Sequence, residues 1–388
     1  MSGFLVDQEG VVSPPASLVS SAPGRICLFG EHQDYLGLPV IASAIDLRVE
    51  LRGSRRNGPK WRISLPDVGE EFSYDPNKPF AYRHDRDYLP AASNCILRQG
   101  ISWPAGYDVE VKSTIPINGG ASSSSALQIA WSAFLYAAAG SPRANDPHAV
   151  AMLAHQSEVL EFGSPGGMMD QFSSAFGGVV YLKTLPPYPV QTLPGFGGVI
   201  LLIGSGQPKD TNGVLGRVRR PLERAGFVCT TKHDPFAEWE HRKLTSGNGS
   251  ADESQAEDGA LRRLIEGNLV NRRLTEAARE LFDQGGPAMD RHDLERLGKL
   301  LSLHHTQLSK SLGVSTERID SILANACEHG ALGGKINGSG GGGTCFVLCE
   351  EEHTEGVCRV LDDMGAPYWR VRCGDGLRIE AYHDCQSD

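Results

Sequence analysis

The sequence predicts an α+β protein of two domains, and three observations carry that reading. The chain has 388 residues with ordinary apolar content, enough for more than one core. Its first part opens with short apolar strands in meander order and then runs a strand into a strongly apolar helix. At Gly198 the pattern restarts and reads strand, helices, glycine loop, strand, helix, strand, a compact α+β unit of its own. The expected division is therefore 1–196 and 197–388.

Residues 1–19 show no clear pattern, and the first strand is expected at Ile26–Phe29. Val40–Ala42 is a second apolar run, and Leu47, Val49 and Leu51 alternate as a third strand. Residues 52–87 are rich in Gly, Pro, Asn and Arg, with one strand candidate at Trp61–Leu65. A helix is expected from Tyr88 to Gln99, then an alternating strand over 107–115. The helix over 146–162 has Asp146 as its cap and Pro147 in its first turn. The apolar run Val179–Leu182 is a further strand.

In the second part, Val199–Ile203 reads as a buried strand, followed by a helix carrying Arg217, Arg219, Arg220 and Arg224. Residues 243–258 are polar and acidic and are expected to form a disordered loop. Helical patterns cover 259–285, 291–312 and 315–329. The glycine-rich segment Gly333–Thr344 reads as a loop in which backbone approaches backbone or ligand closely. Strand 345–348, helix 354–364 and a strand near 368–371 close the domain.

Composition excludes several function classes. A net charge of −10 argues against a general nucleic-acid or membrane-surface binder. No run reaches the length of a transmembrane helix, and Met1–Gln8 lacks the features of a signal peptide. The nine cysteines are scattered without Cys-x-x-Cys spacing, so neither a zinc site nor a disulfide frame is signalled. A cytoplasmic protein with reduced thiols is the expectation, and monomer and homodimer stand equally open.

The chemistry centres on Pro116–Ala126, where two glycines lead into four consecutive serines and then directly into helix. Serine starts helices well, and unpaired N–H groups at the positive end of a helix stabilise phosphate oxygens. A flexible Gly/Ser linker is the bland alternative. It is disfavoured because a strand and an apolar helix anchor both ends. Glu31, His32 and Asp34 follow a strand within four positions, a pattern that by spacing alone reads as a solvated turn. Glu158 and Glu161 lie one turn apart at a helix C-terminus, where carboxylates need solvent or a cation. There is neither a Walker loop nor a Gly-x-Gly-x-x-Gly opening a βαβ unit, which disfavours dinucleotide chemistry. A phosphate cradle, hard oxygen ligands and a spare carboxylate are the parts of phosphoryl transfer.

Four segments then point to a family. Pro23-Gly24-Arg25-Ile26-Cys27-Leu28-Phe29-Gly30-Glu31-His32-Gln33-Asp34-Tyr35 resembles the galactokinase signature Pro-Gly-Arg-Val-Asn-Leu-Ile-Gly-Glu-His-Thr-Asp-Tyr. Pro116–Ala126 resembles the Pro-x3-Gly-Leu-Ser-Ser-Ser phosphate loop, and Gly338–Thr344 the C-terminal glycine motif, of the GHMP (galactokinase, homoserine kinase, mevalonate kinase, phosphomevalonate kinase) superfamily. Residues 163–172 resemble the galactokinase Gly-x-Pro-Cys-Gly-Ile-Met-Asp-Gln-Phe. The resemblance spans the chain from about residue 20 to its end. It implies an N-terminal ribosomal-protein-S5-domain-2-like domain, a C-terminal ferredoxin-like domain, and an enzyme that uses ATP and Mg2+ to phosphorylate a small sugar or polyol.

Position by position, the resemblance implies that Glu31, His32 and Asp34 bind sugar hydroxyls, replacing the solvated-turn reading. Asp170 becomes the base or nucleophile-orienting carboxylate, and Arg25, beside the reacting hydroxyl, stabilises transferring charge or depresses the base's pKa. Gly119, Gly120, Ala121, Ser122, Ser123 and Ser124 wrap the phosphates of ATP, and Glu158 holds magnesium with a hydroxyl from Ser123 or Ser124, Ser124 being the choice. Glu161 stays a surface acid at a helix end. Several departures bear on the acceptor. Asn118, Ala121, Gly166 and Gly341 replace commoner residues, while Gly206–Thr211 and Leu312–Thr316 lean toward mevalonate-type kinases. A galactokinase-like sugar 1-kinase leads. A mevalonate-like alcohol kinase and a catalytically silent sugar-and-ATP sensor are the competing readings.

Overall fold

In the computed structural model, residues 14–84, 86–116, 120–208, 211–245, 259–286 and 289–383 are described. The chain opens on a long hairpin, β1 (Ser17–Phe29) and β2 (Val40–Arg56), paired antiparallel with Ser20 opposite Leu51. The second and third expected strands are thus one strand. Residues 43–46 contain no glycine or proline to turn the chain. Instead the strand serves two partners in succession.

Next come β3 (Trp61–Leu65), β4 (Glu70–Tyr74), α1 (Tyr88–Leu97) and β5 (Gly106–Ser113). They are followed by α2 (Ser123–Ala138), α3 (Pro147–His155) with a π-helical turn over Gln156–Leu160, α4 (Met169–Phe176), β6 (Val179–Leu182) and β7 (Val190–Leu193). The first half of β2 pairs with β6 and the second half with β5. As expected, Asp146 caps α3, its side chain accepting from the amides of His148 and Ala149. The short helix α4 was not anticipated, although Met169 and Phe172 carry its i, i+3 apolar face.

α2 is buried along almost its whole length against this sheet. Its Trp131 and Phe134 join Trp61, Trp103 and Tyr107 in an aromatic cluster with centroids 5.3–6.0 Å from the Trp61 ring for Tyr107, Trp131, Phe134 and Trp103. Gly53 makes room for that helix, since a Cβ there would stand 2.2 Å from the Phe134 ring.

The second part contributes β8 (Val199–Gly204), α5 (Thr211–Arg224), α6 (Pro235–Thr245), α7 (Gly259–Gln284), α8 (Arg291–Thr306) and α9 (Glu317–Glu328). β9 (Ala331–Asn337), β10 (Thr344–Cys349), α10 (Thr354–Asp363) and β11 (Tyr368–Val371) complete an antiparallel sheet of order β11-β8-β10-β9. The expected disordered loop lies, from residue 246 on, outside the described residues. Half of the expected glycine loop is strand β9. Its glycines serve packing, because a Cβ on Gly333 would meet the Gly298 carbonyl of α8 at 1.9 Å.

A last strand, β12 (Arg378–Tyr382), returns to the first sheet and pairs antiparallel with β1. This strand was not among those expected, although Ile379 and Ala381 alternate with Arg378 and Glu380. Among the described residues, no helix is long and apolar enough to cross a membrane.

Trp61 is fully buried at the centre of the aromatic cluster. Trp61→Ala is expected to lower unfolding free energy by about 3–5 kcal/mol, read as a fall in the urea midpoint.

Candidate active site

The start of α2, the expected anion site, has an unusual backbone. Gly120 and Ser122 both hold left-handed backbone, at φ 65° and 57°. The loop lies hard against β1, so that a Cβ on Gly24 would stand 2.6 Å from the Ala121 carbonyl. Ser122 does not cap the helix. Its hydroxyl instead donates to Oδ2 of Asp170 at 2.5 Å, leaving first-turn amides of α2 without that cap. Gly119, the first expected phosphate ligand, lies with Ile117 and Asn118 outside the described residues.

Asp170, in the first turn of α4, meets Arg25 of β1 in a two-pronged pair, Nε to Oδ1 at 2.7 Å and Nη2 to Oδ2 at 2.8 Å. The third guanidinium nitrogen donates to the Gly120 carbonyl at 3.0 Å, and the Arg25 amide to that of Ala121 at 3.0 Å. One arginine therefore ties the phosphate loop to the carboxylate. The Arg25 side chain is 4% exposed and Asp170 31%, so the carboxylate is partly open to solvent and the guanidinium backs it. Burial works against the Arg25 charge, but Asp170 outweighs it and holds the guanidinium above its usual range.

Glu158 sits in the π-helical turn, buried, accepting from Nε2 of Gln171 at 2.7 Å. Burial pushes its carboxyl above the usual value, opposed by hydrogen bonds from Gln171, Ser124 and Ser125. A desolvated carboxylate beside a serine hydroxyl is a hard, all-oxygen donor set of the kind Mg2+ takes. These residues fit the ion, which would neutralise the charge that burial disfavours. Glu161, expected on the surface, is half-buried. It accepts from Tyr82 and Arg98, each at 2.6 Å, and joins the π-helical turn to α1.

The turn after β1 divides its charged residues. Glu31 is 2% exposed and forms an ion pair with Lys335 of β9. His32, 5% exposed with φ 60°, shares Nδ1 with the Tyr35 hydroxyl at 2.8 Å and Nε2 with the Ser339 carbonyl at 2.9 Å. Asp34 alone of the three is half-exposed, accepting from the Met169 amide at 3.3 Å and the Tyr35 amide at 2.9 Å. Gly167 makes this approach possible, since a Cβ there would lie 1.9 Å from Asp34 Oδ2. Burial, then the nearby Asp170 charge, raises the Asp34 carboxyl to about 6.

Of the residues the sequence singled out, Arg25, Asp170 and Ser122 stand in direct contact, Ser124 with Glu158, and Asp34 near Asp170. Sequence reading expected hydroxyl ligands at Glu31 and His32, whose side chains are turned to partners inside the protein. It missed Gln171, Tyr35, Lys335 and Asn337. Asn337 accepts from the Cys27 amide at 3.0 Å and donates to the Gly120 carbonyl at 3.1 Å. The available signal was two polar residues, Lys335 and Asn337, at strand spacing among apolar and glycine neighbours.

Three family models match the chain. These are the galactokinase galactose-binding signature over residues 9–55, the GHMP kinases N terminal domain over 88–178, and the GHMP kinases C terminal over 287–366. The chain is 28% identical over 382 residues to the mevalonate kinase of Thermococcus sibiricus, covering 94% of this chain and 98% of the relative. It is 26% identical over 364 residues to the galactokinase of Streptomyces coelicolor, covering 89% and 88%. The fold superposes on Lactococcus lactis galactokinase complexed with galactose at TM-score 0.77 and 21% identity, over 93% of this chain and 95% of that one. These matches define a phosphotransferase with an alcohol group as acceptor. The chain belongs to the GHMP kinases, a family that uses ATP as phosphate donor.

The raised Asp34 carboxyl gives a sign that can be checked. A carboxyl that binds its proton more tightly when folded contributes stability below pH 4, lost as pH rises toward and through about 6. An Asp34 side-chain NMR titration is expected to show a midpoint near 6. Asp170→Asn, by removing the like charge, moves that midpoint down.

Proposed function

We propose that the protein is a galactokinase-like sugar kinase, passing the γ-phosphate of ATP to a ring hydroxyl of a neutral sugar or polyol. The observation that carries this reading is the placement of Asp34 beside Asp170 at the mouth of the phosphate loop. A polyol offers several hydroxyls to two acceptor carboxylates. An anionic acceptor such as mevalonate meets like charge there. The galactose-binding signature over residues 9–55 supports the same acceptor class.

In this mechanism Asp170 accepts the proton of the attacking hydroxyl as the new O–P bond forms, and ADP leaves with the electrons of the broken γ-phosphate bond. Arg25 holds Asp170 in place and couples its position to the loop that carries the phosphates. Ser122 adds a third donor to the same carboxylate, and the amides at the start of α2 would receive phosphate oxygens of ATP. Glu158 and Ser124 would hold Mg2+, which when bound offsets charge on the phosphate oxygens.

A mevalonate-kinase-like activity is the second reading. It is supported by the mevalonate kinase relative of nearly equal length.

An ADP-release screen over hexoses, uronic acids, inositols, amino sugars and mevalonate tests both. A neutral hexose is expected to be the best acceptor, and faster turnover of mevalonate would replace the sugar reading with the second. Ligand-induced thermal stabilisation without ADP release from any acceptor would mark a silent sensor. With the accepted sugar, Asp170→Asn is expected to lower kcat by about 10²–10⁴ while ATP affinity is kept. Near-normal turnover in that variant would remove Asp170 as the base.

A further inference from the structure

The turn that carries Asp34 is held almost entirely by the other domain. Gly30 donates its amide to Nε2 of His304 on α8 at 3.5 Å, and Glu31 pairs with Lys335 on β9. His32 reaches the Ser339 carbonyl, and Gln33 donates to the Asn268 carbonyl of α7 at 2.8 Å. Four consecutive residues are thus anchored to the second domain, and the fifth, Asp34, is delivered to the first beside Met169 and Asp170. The left-handed backbone of Gly30 and His32, φ 97° and 60°, gives the turn the shape that this division needs.

Lys335 is the charged centre of these anchors. It is fully buried, and its ammonium donates to Glu31, to the Cys27 carbonyl at 2.9 Å and to the Ile336 carbonyl at 2.9 Å. All three protons are thereby used. The same group lies 5.3 Å from the Phe346 ring centre. The second Glu31 oxygen has no hydrogen-bond partner among the described residues and faces His304 Nδ1 across 3.7 Å. Burial first, then Lys335, keeps His304 neutral, and the Gly30 amide at Nε2 leaves the ring proton on Nδ1. Glu31 is enclosed on both sides by groups of the second domain.

We infer that Lys335 is a positioning residue for the acceptor turn, and that Glu31 serves acceptor binding through Lys335 rather than by touching the acceptor. The inference rests on the proposed function only in taking Asp34 as the residue that meets the acceptor. Removing one member of a buried ion pair leaves an uncompensated charge, whereas neutralising both restores the fold. The turn would still have lost its central anchor.

The test uses the full chain with Lys335→Met, Glu31→Gln, the double variant, and Lys335→Arg as the conservative change. Amide hydrogen exchange over residues 30–36 is the readout that needs no acceptor. It is expected to quicken by about tenfold or more in Lys335→Met and in the double variant, with β8 and β10 unchanged. ATP affinity should stay within about twofold in all variants, and the KM for galactose should rise about tenfold in the double variant even as its Tm recovers. Lys335→Arg, which keeps the charge and donors, should lie closest to the parent protein. Exchange in the double variant equal to the parent's, or a KM that recovers together with Tm, would overturn the inference.

Galactose, 2-deoxygalactose and 6-deoxygalactose separate touching from positioning. A Glu31→Gln penalty common to all three supports positioning. A penalty that vanishes with one analogue means Glu31 contacts the missing hydroxyl, and sinks the idea. If galactose is not phosphorylated at all, the sugar-kinase reading fails while hydrogen exchange still decides the role of Lys335.

Discussion

The site depends on one contact, the two-pronged pair between Arg25 and Asp170. It joins the first strand to the fourth helix across 145 residues of sequence and fixes the phosphate loop through the Gly120 carbonyl. A guanidinium suits this task because its planar fork satisfies a carboxylate with two donors and keeps a third for the loop. Much of the neighbouring architecture follows from it. Gly24 lets the loop cross β1, Ser122 forgoes its capping role to donate to the same carboxylate, and the buried α2 holds the loop from behind.

Around that contact the two sheets divide the work. The first supplies the loop, the carboxylate and the candidate magnesium ligand Glu158. The second supplies Asn337, which bridges β1 and the Gly120 carbonyl, and Lys335, which takes up Glu31. Return of β12 to the edge of the first sheet binds the end of the chain to its beginning. Contacts between the two parts of the chain thus run through the same few strands.

Much of this was legible in the sequence where function is carried by contiguous residues. The four serines before an apolar helix, the strand ending in Gly-Glu-His-Gln-Asp and the Met-Met-Asp-Gln segment each announce themselves locally. Backbone chemistry of this kind depends on neighbours in the chain, so spacing and residue type suffice to find it. The cap of α3 and the long helix α7 were legible for the same reason. The short elements α4 and β12, of eight and five residues, were not, because so few positions carry little pattern. The single strand β2 was read as two because its halves bury against different partners, which the alternation registers only as an interruption.

By itself the sequence determined membership of the GHMP kinases, and it singled out the serine-rich helix start and Asp170 as candidates for the site. Only the tertiary structure decided which of three adjacent polar residues stays partly exposed. Glu31, His32 and Asp34 are equal candidates on paper. Burial and partner choice separate them, and their partners Lys335, Ser339 and Met169 lie hundreds of residues away or on a helix that the pattern did not show. A charge goes where its desolvation can be met, and no local spacing records where that place is.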